Sequence, residues 1–274
     1  MKKYVFLLVI FLSTTTLLAQ INCDALLWQQ DTLQYKACKL VNEKQHKYHQ
    51  FDKRFHKLMN DALEICPYFA YAYREISSSY VKSGNFIEWK KNIDNAVKYA
   101  PIEYLPVRAS LKYKFFADYE GSINDIDSLK TLISGNIGYT SNGTYHLNIV
   151  KGLCLKALGR IDEAIDIIEK QSEIEGDYGL YNYLHLGVLY MEKKDFKTAL
   201  ANFKKQAKAN NIAENHYYMA LCYKDEDDIN NALVHLKQAQ MLYESGNKMV
   251  DPYNELFDQI YLSQIKDELR LIQE

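Results

Sequence analysis

The stretch Tyr183-Leu-His-Leu-Gly-Val-Leu-Tyr190, with Asp195-Phe196, Ala199 and Phe203 after it, decides how the chain is read. Tyr183, Leu186, Gly187 and Tyr190 recur at intervals of three and four, the period of one helix face. Lys193-Lys194-Asp195 interrupts the pattern, and Ala199 and Phe203 begin a second helical period. Gly187 and Ala199 are small, so two antiparallel helices can approach closely at that point. Tyr190 and Phe196 fill the space beside the contact. Helices of ~12–15 residues are marginal alone, so such a hairpin needs neighbours that cover its remaining apolar surface.

The chain supplies those neighbours. Tyr73-Arg-Glu-Ile-Ser-Ser-Ser-Tyr80 leads to Asn85-Phe86, Trp89, Ile93, Ala96 and Pro101. His216, Met219-Ala220, Tyr223, Asp228-Ile229, Ala232, Leu236 and Ala239 repeat the pattern, and weaker copies run through Ser110, Tyr113 and Ser122, and through Gly152, Leu155 and Ala164. The small residues of the first helices are Ser77, Ser110, Gly152, Gly187 and Ala220, at intervals of 33, 42, 35 and 33. Their counterparts in the second helices, Trp89, Ser122, Ala164, Ala199 and Ala232, keep a constant offset of 12. Length varies only between hairpins, as expected of a modular array.

This pattern resembles the tetratricopeptide repeat, with its aromatic-x2-Leu-Gly-x2-Tyr, Ala-x3-Phe and closing Ala and Pro. The resemblance covers about Lys36 to Gly246: five clear repeats and a degenerate first one ending Ala62 to Pro67. Trp89, Pro106 and Lys151 depart from it. It implies an all-α, right-handed α-solenoid of stacked helix-turn-helix repeats. It also implies a non-catalytic scaffold that binds peptides or proteins on a concave surface lined by the first helices.

The expected organisation has four parts. Lys2-Lys3 followed by the apolar run Tyr4 to Leu12 and Leu17-Leu18-Ala19 has the layout of a secretory signal peptide at residues 1–19, cleaved before Gln20. Losing Lys2 and Lys3 takes the net charge from −2 to −4. Cys23 is a poor lipidation site because Asn22, not a small residue, precedes it. Residues 20–67 read as an N-terminal hairpin and residues 68–246 as the five repeats. The 42-residue interval places an exposed inserted loop at 134–144, rich in Gly and Asn, whose removal over Gly135 to Asn142 should spare the helices. Residues 247–274 read as a capping helix that starts at Asp251-Pro252 and carries Tyr253, Leu256, Ile260, Ile265, Leu269 and Ile272 along one face.

Composition narrows the chemistry. The chain is 48% hydrophobic and 25% charged, as in soluble folded proteins. Lys+Arg is 33 against Asp+Glu 35, which excludes the basic footprint of a nucleic-acid binder. Only 11 Gly and 4 Pro argue against an all-β fold and phosphate-cradling loops. No catalytic motif, cofactor loop or zinc-protease motif is present, so no enzyme activity, cofactor or metal is expected. His46, His49, Asp52 and His56 lie among Lys44, Lys47, Lys53 and Arg54 and read as solvated surface. Asp225-Glu-Asp-Asp228 reads as a turn, since it lacks the Gly and distal Glu of a calcium loop. Of five cysteines, Cys154 and Cys222 read as small buried apolar residues. Cys23 and Cys66, opening and closing the first hairpin, are the disulfide candidates of an exported chain, with Cys38 then free.

If Tyr183, Leu186, Gly187 and Tyr190 face the partner helix, then Tyr181, Leu184, Val188 and Met191 fall on the opposite face. The same arithmetic selects Tyr104, Val107, Leu111 and Lys114; His146, Ile149, Leu153 and Lys156; Glu214, Tyr217, Leu221 and Lys224; and Tyr71, Arg74 and Ser78. Left bare, the apolar members would form a patch larger than monomers tolerate, so a partner segment, a second copy or the inserted loop should cover it. Lys114, Lys156 and Lys224 favour an acidic partner, against which Glu192 and Glu214 count. The expectation is therefore a periplasmic, surface-associated or secreted scaffold for a protein or peptide, with no span after signal cleavage. The alternative is a glycan or small-ligand component of an outer-membrane uptake system, with Tyr71, Tyr104, Tyr181 and Tyr217 as stacking platforms.

Overall fold

The computed structural model describes residues 21–273. Regular structure among them is helical, apart from one isolated antiparallel bridge between Tyr139 and His146. No helix among the described residues is long and apolar enough to cross a membrane. The proposed signal segment, 1–19, lies outside the described residues.

One local device builds five of the hairpins. Seven residues after each small first-helix residue the backbone is left-handed: Gly84 at φ 77°, Ala117 at 49°, Gly159 at 74°, Lys194 at 61° and Asp227 at 59°. The next residue returns its N–H to the helix just ended. Asn85 donates to the Tyr80 carbonyl, Arg160 to Leu155, Asp195 to Tyr190 and Asp228 to Tyr223, at 2.8–2.9 Å. This closure satisfies carbonyls that a helix end leaves open. Where that residue is Asn or Asp, its side chain then caps the second helix. Asp118 accepts from Gly121 N–H, Asp195 from Thr198 and Asp228 from Asn231, at 3.0–3.1 Å.

The chain forms two compact units, divided between Tyr99 and Ala100. In the first, α1 (Cys23–Trp28) leads into the antiparallel pair α2 (Thr32–Lys44) and α3 (Lys53–Ile65), then α4 (Ala70–Lys82) and α5 (Phe86–Tyr99). Val41, Met59, Ala62 and Cys66 are fully buried in its core. The disulfide differs from the expected one. Cys23 bonds Cys38 across 15 residues, with Cα atoms 5.6 Å apart, and Cys66 is a buried free thiol. The six-residue α1 folds directly back on α2, which brings Cys23 to Cys38, and Asn42 fixes the corner by donating to Ile21 O at 2.8 Å. His56 and Asp52 of the histidine-rich stretch have structural partners: His56 pairs with Ser79 Oγ at 2.8 Å, and Asp52 caps α3 and holds Arg54.

In the second unit, α6 (Pro101–Leu111) and α7 (Tyr119–Leu132) form the first hairpin. Then come α8 (Leu147–Ala157) with α9 (Ile161–Glu175), α10 (Asn182–Glu192) with α11 (Phe196–Ala209), and α12 (Ala213–Asp225) with α13 (Ile229–Glu244). The close approaches fall where the small residues predict. A Cβ on Gly187 would lie 2.3 Å from the Phe203 ring, and one on Gly152 2.3 Å from Ile168. A π-turn, Lys112–Phe116, ends α6 and changes the closure, so that Asp118 N–H reaches Lys112 O. Cys154 and Cys222 are buried free thiols, and burial pushes both up to about 12.

The C-terminal region departs from expectation. The last helix, α14, is Leu262–Gln273, and Asp251-Pro252 starts no helix. Residues 247–261 form an irregular strap, in which Asp251 caps a local turn at Tyr253 N–H and Asp258 is left-handed at φ 63°. Tyr253, assigned to the apolar stripe, is 72% exposed. α14 does cover the last hairpin: Ile265 is fully buried in a cluster with Tyr217, Leu236 and Leu242. The inserted loop is irregular and mostly exposed, with a few buried anchors. Ile137 and Thr140 are 6% and 5% exposed, and Tyr145 at its end is 1% exposed.

Candidate functional site

The candidate site is the face formed by the first helices of the second unit, α6, α8, α10 and α12. Helical spacing assigns Leu153 and Lys156 of α8, Leu184 and Val188 of α10, and Tyr217 and Leu221 of α12 to that side. It does not leave them bare. Ile149, Leu153 and Leu184 are fully buried, and Val188, Tyr181 and Tyr217 are 4%, 7% and 8% exposed. Leu111 and Leu221 are half-buried.

The cover is the chain itself. The neck of the strap forms at Glu214, where Met249 N–H donates to Oε2 at 3.1 Å and the Ile260 N–H is turned to the same carboxyl group. Ala213 N–H adds a bond to Asn247 O at 2.9 Å, and the Val250 N–H is turned towards the Tyr181 hydroxyl. Between these points the strap crosses the face and returns. Met249, Leu256 and Ile260 are buried along it, and the Phe257 ring stacks on Tyr113, with centroids 5.8 Å apart and 15° between planes. Tyr113 holds the repeat position of Tyr190 and Tyr223. Those two partner Glu169 and His235 of second helices, whereas Tyr113, inside the π-turn, meets the strap.

Three predicted cations meet acids of the C-terminal region, two of the strap and one of α14. Lys114 Nζ lies 2.5 Å from Asp251 Oδ2, Lys156 Nζ 2.5 Å from Asp258 Oδ1, and Lys224 Nζ 2.6 Å from Glu268 Oε2 of α14. The first two pairs are nearly dry, with side chains 3–10% exposed. His185, fully buried, places Nδ1 2.6 Å from Asp258 Oδ2, and its Nε2 lies 3.0 Å from the Tyr145 hydroxyl. Nδ1–H therefore donates to the carboxylate while Nε2 accepts from Tyr145. Sequence reading missed this Tyr145–His185–Asp258–Lys156 chain, because its members are up to 113 residues apart.

The electrostatics follow from burial against pairing. Burial works to raise the Asp258 pKa, but Lys156 and His185 overcome it and hold the carboxyl below its usual range. Asp251 is lowered in the same way: Lys114 and the Tyr253 N–H outweigh burial. Glu214 has no cation in contact, and burial raises it.

The remaining candidates lie elsewhere. Tyr71 is half-buried and donates to Gln45 Oε1 at 2.9 Å, and Arg74 pairs with the neighbouring Glu75. Both belong to the first unit. Tyr104 of α6 is half-buried. Among the described residues no group of three His, Cys, Asp or Glu side chains is placed to hold a metal.

Residues 145–178 and 180–212 match the family profile described as tetratricopeptide repeat. Among curated proteins, no sequence matches the chain. Solved structures share the fold at low identity. PilW, described as a widely conserved type IV pilus biogenesis factor, aligns at TM-score 0.55 and 15% identity over 92% of this chain and 95% of its own. PilF of Pseudomonas aeruginosa aligns at 0.59 and 13%, over 88% and 99%. MamA of Desulfovibrio magneticus RS-1 aligns at 0.54 and 17%, over 64% and 96%. Two segments match the profile and five hairpins keep one register of small residues and turns, so residues 145–178 and 180–212 are tetratricopeptide repeats within an array of stacked helical hairpins of that fold.

Proposed function

We propose that the protein is an exported, non-enzymatic scaffold that holds a partner protein or peptide on the first-helix face of its repeats. One observation carries this reading: the face of the second unit already holds a non-helical polypeptide segment, its own strap, through paired charges and an aromatic stack. A surface that binds one chain segment this way has the chemistry to bind another. The Cys23–Cys38 disulfide supports an oxidising compartment. The signal-like N-terminus and the likeness in fold to PilW, a pilus biogenesis factor, support the envelope as that compartment. The glycan reading loses support, because Tyr181 and Tyr217 present no open ring face while the strap is seated.

Affinity capture from an envelope fraction with the full chain tests the proposal. A stoichiometric protein, absent from a control with an unrelated repeat protein, is the expected result. Recovery of none under mild detergent overturns it.

A further inference from the structure

We propose that the first-helix face of the second unit is a docking site for an acidic, non-helical segment of a partner protein, with the strap as its built-in competitor. This rests on the scaffold reading and names the ligand class of the same face. The strap displays what the face selects. Two carboxylates seven residues apart meet Lys114 and Lys156, and an aromatic side chain next to the second acid stacks on Tyr113. Replacing a dry ion pair with packed apolar groups is often neutral or stabilising, so such pairs specify register more than they add stability. A cover needed only to hide apolar surface would not require two of them.

The strap is also an imperfect occupant. Asp258 sits at φ 63°, which Asp tolerates as Asp227 does, so the shortfall lies in the polar groups that the strap leaves unpaired. The Tyr113 hydroxyl and Asn254 Oδ1 are buried without a hydrogen-bond partner among the described residues. Residues 247–261 also lack the ladder of backbone hydrogen bonds that holds the helices beneath them. Segments of that kind open locally while the rest stays folded. A trans segment that supplies the same two carboxylates and a hydrogen-bond partner for the Tyr113 hydroxyl competes for the face whenever the strap opens, against the advantage of the strap's tether.

The test uses a fluorescein-labelled peptide of residues 247–261, Asn-Lys-Met-Val-Asp-Pro-Tyr-Asn-Glu-Leu-Phe-Asp-Gln-Ile-Tyr, titrated into the full chain and into Asp251→Asn/Asp258→Asn. Because the resident strap lowers the fraction of open face, the variant should bind the peptide at least ~10-fold more tightly than the parent does. A peptide with both Asp changed to Asn should lose that gain, as should adding Lys114→Glu and Lys156→Glu to the variant. Equal binding by parent and variant, both showing native helicity, overturns the proposal. If the variant does not fold, amide exchange on the parent decides. Met249 to Ile260 should exchange at least ~100-fold faster than α8 and α10, and exchange only with global unfolding overturns the proposal. A variant that dimerises at micromolar concentration makes the occupant a second copy's strap, which also overturns it. Failure here is distinct from failure of the scaffold reading. A partner captured equally by the parent and by Lys114→Glu/Lys156→Glu leaves the scaffold standing and removes only this face.

Discussion

At the residue scale, the stacked pair His216 and His235 shows how tautomers follow from neighbours. Asn211 Oδ1 lies 2.9 Å from His216 Nε2 and can only accept there, so that nitrogen carries the hydrogen. His216 Nδ1 is then an acceptor, and His235 Nδ1–H, 2.8 Å away, is the donor. Burial, with His235 beside it, lowers the His216 pKa from 6.5 to about 4. The unfolded chain takes up this proton first as pH falls. The stability contribution is therefore complete above 6.5 and is lost progressively toward about 4. The melting temperature should fall between about pH 7 and pH 5, and His216→Gln should flatten that slope. An unchanged slope in the variant would show that the pair is not its source. The family pattern places both histidines on facing helices but says nothing of their contact. Sequence showed which helices meet, not which polar atoms pair.

At the element scale, legibility tracks how local the determinant is. The hairpins were readable because the small residues, the left-handed turn seven residues on and the Asp or Asn cap after it all act within one repeat. The C-terminal helix was misplaced for the opposite reason. Asp251-Pro252 followed by Leu256 and Ile260 satisfies every local rule for a helix start, but those apolar side chains are buried by a face built 40–150 residues earlier. Within the inserted loop Gly and Asn set the exposed turns, whereas the burial of its anchors Ile137 and Thr140 depends on distant residues that sequence spacing does not show. The α1–α2 corner gives a prediction of its own. A disulfide closing a loop of about 15 residues contributes about 3 kcal/mol by chain entropy, so Cys23→Ser/Cys38→Ser should destabilise the first unit by roughly 2–3 kcal/mol. Both tryptophans, Trp28 and Trp89, lie in that unit, so urea unfolding followed by their fluorescence reads it directly. Alkylation of the denatured chain without reductant should label the three free cysteines, and with reductant all five.

At the scale of the second unit as a whole, the strap changes the rules of the array. Repeat proteins normally couple only neighbours and can fray from their ends. Here Lys114–Asp251, Lys156–Asp258 and His185–Asp258 join residues 137, 102 and 73 positions apart. The unit should unfold in one step, and Asp251→Asn/Asp258→Asn should broaden the urea transition and lower its m-value. A transition as sharp as the parent's would mean that the strap does not couple the repeats. The acid response has a defined sign. Asp251 and Asp258 are held below 3.8, so their contribution is complete above that pH and is lost as pH falls further, while Glu214, raised above 4.5, opposes them with stability that is lost as pH rises through its own pKa. The strap also acts as a gauge of copy number. Arrays of this kind drift by duplicating or deleting hairpins, each adding a helix spacing of about 10 Å. A duplication between α7 and α8 would move Lys156 away from Lys114 while Asp251 and Asp258 stayed seven residues apart. One acid or the other would come adrift in a dry setting, so a lineage that keeps this strap keeps its number of hairpins too.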